Sequence, residues 1–200
     1  MCADLYRRSD VMKRYVAQTS VGASTTRGYK KARQDFQYAD FLAGLRIEKL
    51  ATKTEGQFIK WLNTRTKHLS REISPKGYAT YSTWGIARKI LNIFLHNVYF
   101  NEILRTEYNL GDIKDHFEVP LDSHVVGWLR RIAESTEPAI EFIDPVPGTF
   151  YVHLVTDDVN SKYQGLATKV ARQLGTSRVY LDTYLYRARD YLWIYQYRIE

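Results

Sequence analysis

Apolar residues return at three- and four-residue intervals along most of this chain, and five prolines mark where that periodicity must stop. A period near 3.6 residues puts apolar side chains on one face of a helix. Leu5, Val11, Met12, Tyr15 and Val16 give a first, highly charged stripe. Phe36, Ala39, Phe41 and Ala43 give a second, in a helix expected from about Tyr29 to Leu50 with Gly44 as a break. Thr54 and Glu55 open a third, which carries Phe58, Ile59, Trp61 and Leu62 and runs to about Leu69. Pro75, Lys76 and Gly77 form a turn. A helix over residues 162–174 carries Leu166, Val170, Ala171 and Leu174 and stops at Gly175. A last helix, capped by Ser177 or Asp182, carries Tyr180, Tyr184, Ala188, Tyr191 and Tyr195 at helical spacing. Pro138, Pro145 and Pro147 exclude a continuous helix between Glu137 and Gly148. Only Phe150 to Val155 alternates as a strand would. The expected fold is all-α, a multi-helix domain with at most one short strand at 150–155. It is read as one domain over 1–200, divisible at most into an N-terminal helical lobe, 1–76, and a second region, 77–200.

Charge narrows the partners. Lys and Arg number 29 against 22 Asp and Glu, a net charge of +7. Such a balance favours a polyanion, nucleic acid before an anionic membrane surface. Cys2 is the only cysteine, which excludes a disulfide framework and a thiolate-bound cluster. A reducing, cytoplasmic compartment is the simplest expectation. Met1 to Ser20 carries charges throughout, unlike a signal peptide, and no stretch approaches the roughly 18 apolar residues that cross a bilayer. His68, His96, His116, His124 and His153 have no metal-ligand spacing, and no phosphate-cradling or dinucleotide-binding glycine motif occurs.

The stretch from Trp84 to Arg131 carries the chemistry. It opens with Gly85-Ile86-Ala87-Arg88-Lys89-Ile90-Leu91-Asn92, read as a glycine-initiated helix bearing one lysine. It closes with Pro120-Leu121-Asp122-Ser123-His124-Val125, a turn whose aspartate begins a second helix of Val125, Val126, Trp128, Leu129 and Ile132. Gly111 is expected to stop the helix before it. Lys89 sits between Ile86 and Ile93 on a helical projection, at the border of the apolar face. Partial burial there favours a neutral amine. A neutral amine can capture a sugar carbon as a Schiff base, and a carboxylate nearby stabilises the positive charge that glycosidic cleavage builds. Each residue alone also has an ordinary role, Lys89 as a snorkelling lysine and Asp122 as a helix cap.

These two segments resemble the Gly-Val-Gly-Arg-Lys-Thr-Ala-Asn and Val-Asp-Thr-His-Val motifs of helix–hairpin–helix DNA glycosylases of the endonuclease III type. The resemblance covers about fifty residues and implies Lys89 as the nucleophile and Asp122 as the catalytic acid. It further implies duplex DNA as partner, with Gly85, Ala87, Arg88 and His124 contacting it. No cofactor is implied beyond a monovalent cation at the hairpin. Ala87 stands where the family has its second glycine, and Thr83-Trp84 where it has Leu-Pro. Asp122 follows Lys89 by 33 residues, a spacing closer to the archaeal 8-oxoguanine glycosylases. The cluster-binding cysteines of endonuclease III are absent. A flipped base needs an aromatic pocket, for which Tyr81, Trp84 and Trp128 are candidates. A rival pair, Lys169 behind Gly165 with Asp182, lacks the arginine and asparagine. The function expected is a DNA glycosylase, with lyase activity if the amine attacks. The alternatives are a non-catalytic helical nucleic-acid-binding module and a helical protein-interaction domain.

Overall fold

The computed structural model describes residues 8–22, 34–73, 83–136 and 138–183. Among these residues lie the α-helices α1 Arg8–Ser20, α2 Gln34–Ala43, α3 Glu55–Glu72, α4 Thr83–Phe100, α5 Glu102–Glu107, α6 Ser123–Ser135 and α7 Asp157–Gln173. Residues 178–183 are also helical and form α8. There is no strand among the described residues. The segment expected to be one contains instead a single 3-10 turn, Val152–Leu154. With no neighbouring strand, its alternation serves to bury Phe150 and Val155 while exposing Tyr151. No described helix is long and apolar enough to cross a membrane.

Local chemistry sets the helix ends. Thr54 caps α3 in a capping box with Gln57, each side chain bonding the other's backbone amide. Asn101 caps α5 by accepting from the Leu104 amide, so α4 ends at Phe100. The chain then turns at Asn109, whose φ of 52° is left-handed. Gly111, expected as the helix stop, opens a 3-10 segment, Gly111–His116. Asp122 caps α6, and Thr156 caps α7 by accepting from the Val159 amide. That cap starts α7 five residues earlier than the apolar spacing suggested. Gly175, at φ 63°, stops it as expected. Asp182, considered as a cap, lies inside α8.

The apolar residues form two clusters. The first gathers α1 to α5, with Leu42, Phe58, Leu62, Leu91, Phe94 and Leu95 among its fully buried members. The second gathers α6 and α7, through Val126, Leu129, Tyr163 and Val170, with Phe150 and Leu181. The first cluster runs to Phe117 and adds Val179, and the second draws on Val119 to Leu181, so α4 packs chiefly with the N-terminal helices. Its first turn nevertheless touches the other cluster. Trp84 packs on that cluster, and a Cβ built on Gly85 would stand 2.1 Å from the Val152 carbonyl oxygen. Glycine is required here for close approach of two backbones.

Candidate functional site

α4 presents two polar faces, and neighbouring residues supply them. Arg88 and Asn92 are four apart and share the inward one. Arg88 grips Glu118 with two parallel bonds, Nε to Oε2 at 2.8 Å and Nη2 to Oε1 at 2.7 Å. Its Nη1 donates to Asn63 and Thr66 of α3. Asn92 and Asn160 donate to the same carboxylate. Arg88 and Glu118 side chains are 2% and 3% exposed, so this is an internal ion pair. Burial pushes the Glu118 carboxyl up, but the charge and hydrogen bonds of Arg88, with Asn92 and Arg178, outweigh it and hold it below the ordinary range.

That placement corrects part of the expected DNA surface. Arg88 is buried and spends four of its five N–H donors on Glu118, Asn63 and Thr66, so it does not face solvent as a phosphate contact would. Ala87 is fully buried and Gly85 is packed against Val152 and Val155. The side positions of all three residues face protein. Among the described residues the Gly85–Ala87 element is thus a packing surface between α4 and the Val152–Val155 segment. His124, by contrast, is exposed at the start of α6. Tyr81 lies outside the described residues. Trp84 and Trp128 are half-buried, and each has a guanidinium over its ring, Arg88 at 5.2 Å and Arg131 at 5.3 Å. They are not brought together on one wall by any direct contact between their rings.

Lys89 lies on the other face of α4. The fold brings its Nζ to 3.5 Å from Asp122 Oδ2, across 33 residues of chain, with the side chains 14% and 34% exposed. Asp122 is fixed from behind. Its Oδ1 accepts from the amides of His124 at 3.0 Å and Val125 at 2.9 Å, capping α6. One oxygen of this carboxylate therefore caps α6 while the other faces the amine.

A further carboxyl, Asp182 of α8, feels the charges of this pair. α8 is tied to α4 by two contacts: His96 Nε2 lies 2.8 Å from the Val179 carbonyl, and the hydroxyls of Tyr99 and Tyr180 are 2.9 Å apart. Burial lowers the His96 pKa, so the neutral ring donates its Nε2–H to that carbonyl. His96 and Lys89 are two helical turns apart and share a face of α4. Beyond Val179, Leu181 enters the second cluster and Asp182 comes under the charges of Asp122 and Lys89. Burial, then repulsion from Asp122, push the Asp182 carboxyl up to about 6 against the pull of Lys89. Asp182 thus lies within the field of the Lys89–Asp122 pair, its carboxyl near its midpoint at mildly acidic pH.

Asp182 had entered the sequence reading only as a cap or as partner of Lys169. Lys169 is exposed and donates to the Glu141 carbonyl at 3.0 Å. Lys169 makes no ion pair with Asp182, whose carboxyl instead feels the charges of Asp122 and Lys89. No local spacing could reveal this, because Lys89, Asp122 and Asp182 come from three separate elements. Among the described residues no group of three His, Cys, Asp or Glu side chains is placed to hold a metal ion. No family model, no curated protein and no solved structure matches this chain.

Proposed function

We propose that the chain is a DNA glycosylase with lyase activity, in which Lys89 attacks the sugar and Asp122 stabilises the charge that develops. The observation that carries this reading is the Lys89–Asp122 ion pair at 3.5 Å, formed by residues remote in sequence and partly open to solvent. An amine positioned for attack on C1′ forms an N–C bond as the glycosidic bond breaks, and the electron pair leaves with the base. The carboxylate, pre-aligned by the α6 amides, needs no reorganisation to act on the positive sugar. A net charge of +7 supports the polyanionic partner. With Arg88 internal, the phosphate grip falls to exposed side chains. His124 is one; Lys67 and Arg71 at the end of α3 are others, beside the start of α4 where Thr83 bonds the Ser70 carbonyl.

The test is a panel of duplexes, each bearing one damaged or modified base, scored for base release and for binding across a salt series. Release from at least one member is expected, with affinity falling steeply as salt rises. Binding without release from any member would leave a non-catalytic nucleic-acid module. Absence of duplex binding at low salt would remove nucleic acid altogether.

A further inference from the structure

We propose that the cleft between α3 and α7 is a binding site for a linear aliphatic polyamine. It lies over the Arg88–Glu118 pair, apart from Lys89, and does not depend on the glycosylase reading. The cleft measures about 660 Å³, within the range of small-molecule sites. Four carboxylates and two guanidiniums line it, an acidic excess in a protein whose net charge is +7. Two of the carboxylates are balanced, Glu118 by Arg88 at 2.7 Å and Asp158 by Lys162 at 2.8 Å. Glu55 and Asp157, the first residues of α3 and α7, remain. Glu55 is 62% exposed, and Arg178, 3.8 Å away, already donates to the carbonyls of Asp115, His116 and Phe117. Asp157 accepts from Asn63, a neutral amide, at 3.2 Å.

The floor of the cleft calls for a donor as well. Asn160 is 2% exposed and lines it. Its Nδ2 donates to Glu118, and its Oδ1 has no hydrogen-bond partner among the described residues. A buried acceptor is unfavourable while unpaired, and a ligand N–H removes that cost. The α3 wall sets the spacing. Glu55, Ile59 and Asn63 recur every fourth residue and line the cleft from one face. Glu55 stands about 12 Å along the helix from Asn63, at 1.5 Å per residue. The order along that wall is carboxylate, isoleucine, then Asn63 with the Asp157 it holds. An extended polyamine has the matching order: ammonium, methylenes, ammonium. On the α7 wall Gly165 leaves room for the chain. Nothing described lies within 4 Å of a Cβ built there, so no packing contact requires this glycine, which weakens a helix interior. A metal ion is a poorer match, because the oxygens are spread along the cleft and form no group of three ligands among the described residues.

Calorimetric titration of the full chain with spermidine in low-salt buffer tests this. One saturable site is expected, since a net charge of +7 repels a polycation elsewhere. Glu55→Gln and Asp157→Asn should each weaken binding about fivefold, as for one lost partly exposed ion pair. Gly165→Leu, which fills the cleft, should abolish it. Each carboxylate also favours its own helix from the first turn. Glu102→Gln, the same change at the first residue of α5, is therefore the control and should bind as wild type. In a parallel NMR titration the side-chain amide signals of Asn63 and Asn160 should move with spermidine. Butylamine, with one ammonium on a similar chain, should bind more weakly than spermidine by at least the factor lost in either carboxylate variant. Absence of a saturable site would overturn the proposal, as would equal weakening in Glu102→Gln. So would equal binding of butylamine or of magnesium at matched ionic strength, or binding that leaves the Asn63 and Asn160 signals still. None of these results bears on base release, so the glycosylase reading stands or falls separately.

Discussion

Arg88 and Lys89 are adjacent in the chain and opposite in circumstance. Arg88 meets one carboxylate, Glu118, in a bidentate pair, and its two Nη1 donors go to Asn63 and Thr66. Lys89 meets Asp122 at 3.5 Å in a partly exposed setting, with a second carboxylate, Asp182, in its field. The first arrangement is closed and neutral. The second carries one negative charge too many when both aspartates are ionised. A satisfied buried pair fixes geometry; an excess of carboxylates raises one of them, Asp182, toward the range of acid–base chemistry. The sequence motif that joined glycine, arginine, lysine and asparagine therefore divides into a structural set, Gly85, Arg88 and Asn92, and one residue with reactive potential, Lys89.

The largest effect expected from this contrast lies on the structural side. Arg88→Ala leaves Glu118 charged, buried and without its main partner, and should cost about 3–5 kcal/mol in chemical denaturation. Replacing both members together, Arg88→Met with Glu118→Leu, should recover most of that loss. A small cost for Arg88→Ala would mean that the network does not hold the α3–α4 contact.

Next in size, and opposite in sign, is Asp182→Asn. The folded pKa of about 6 lies above the ordinary 3.8, so the folded state binds the proton more tightly than the unfolded chain does. Asp182 is therefore neutral in its effect below the unfolded value, destabilises progressively as pH rises to about 6, and has a constant effect above that. Asp182→Asn should stabilise the protein at pH 8 by no more than about 3 kcal/mol, with the gain vanishing near pH 3. Glu118 has the reverse linkage. Its lowered pKa adds stability above the unfolded value, which is lost as pH falls through the folded one. Thermal melts of wild type, Asp182→Asn and Glu118→Gln against pH separate the two contributions by their opposite slopes.

Asp122→Asn should be the mildest. Asparagine keeps a cap oxygen for the α6 amides, so stability should fall by no more than about 1 kcal/mol. Base release should nonetheless drop sharply, because the charge facing Lys89 is gone. A collapsed melting temperature with intact activity would reduce Asp122 to a cap.

Helix existence was legible in the sequence wherever a cap and an apolar period agreed, as at Thr54 and Asp122. It was illegible where one signal overrode another. Phe150 to Val155 has strand alternation, but no strand stands beside it. Gly111 has the residue type of a helix stop, yet Asn101 and Asn109 had already ended α4 and turned the chain. Lys89 and Asp122 were legible as a pair because two short motifs stood in order. Glu118 and Asp182 were not, since neither has a local pattern that names its partner. Arg88 was misplaced because a basic residue in a DNA-binding motif and a buried salt-bridge arginine look alike until the opposing carboxylate is found. The tyrosines at 184, 191 and 195, and the basic cluster of Arg27, Lys30, Lys31 and Arg33, lie outside the described residues.

The central claim is that the Lys89 amine becomes covalently attached to the sugar, and borohydride trapping reads that attachment directly. Reduction converts an imine into a permanent protein–DNA adduct, whereas a lysine that only pairs with Asp122 or touches phosphate leaves none. Wild type incubated with its lesion duplex and borohydride should give an adduct of one chain on one DNA strand. Lys89→Gln should give none while still binding the duplex, and Lys169→Gln should trap as wild type does. An adduct that persists in Lys89→Gln, or base release by wild type with no adduct at any borohydride concentration, would contradict the claim.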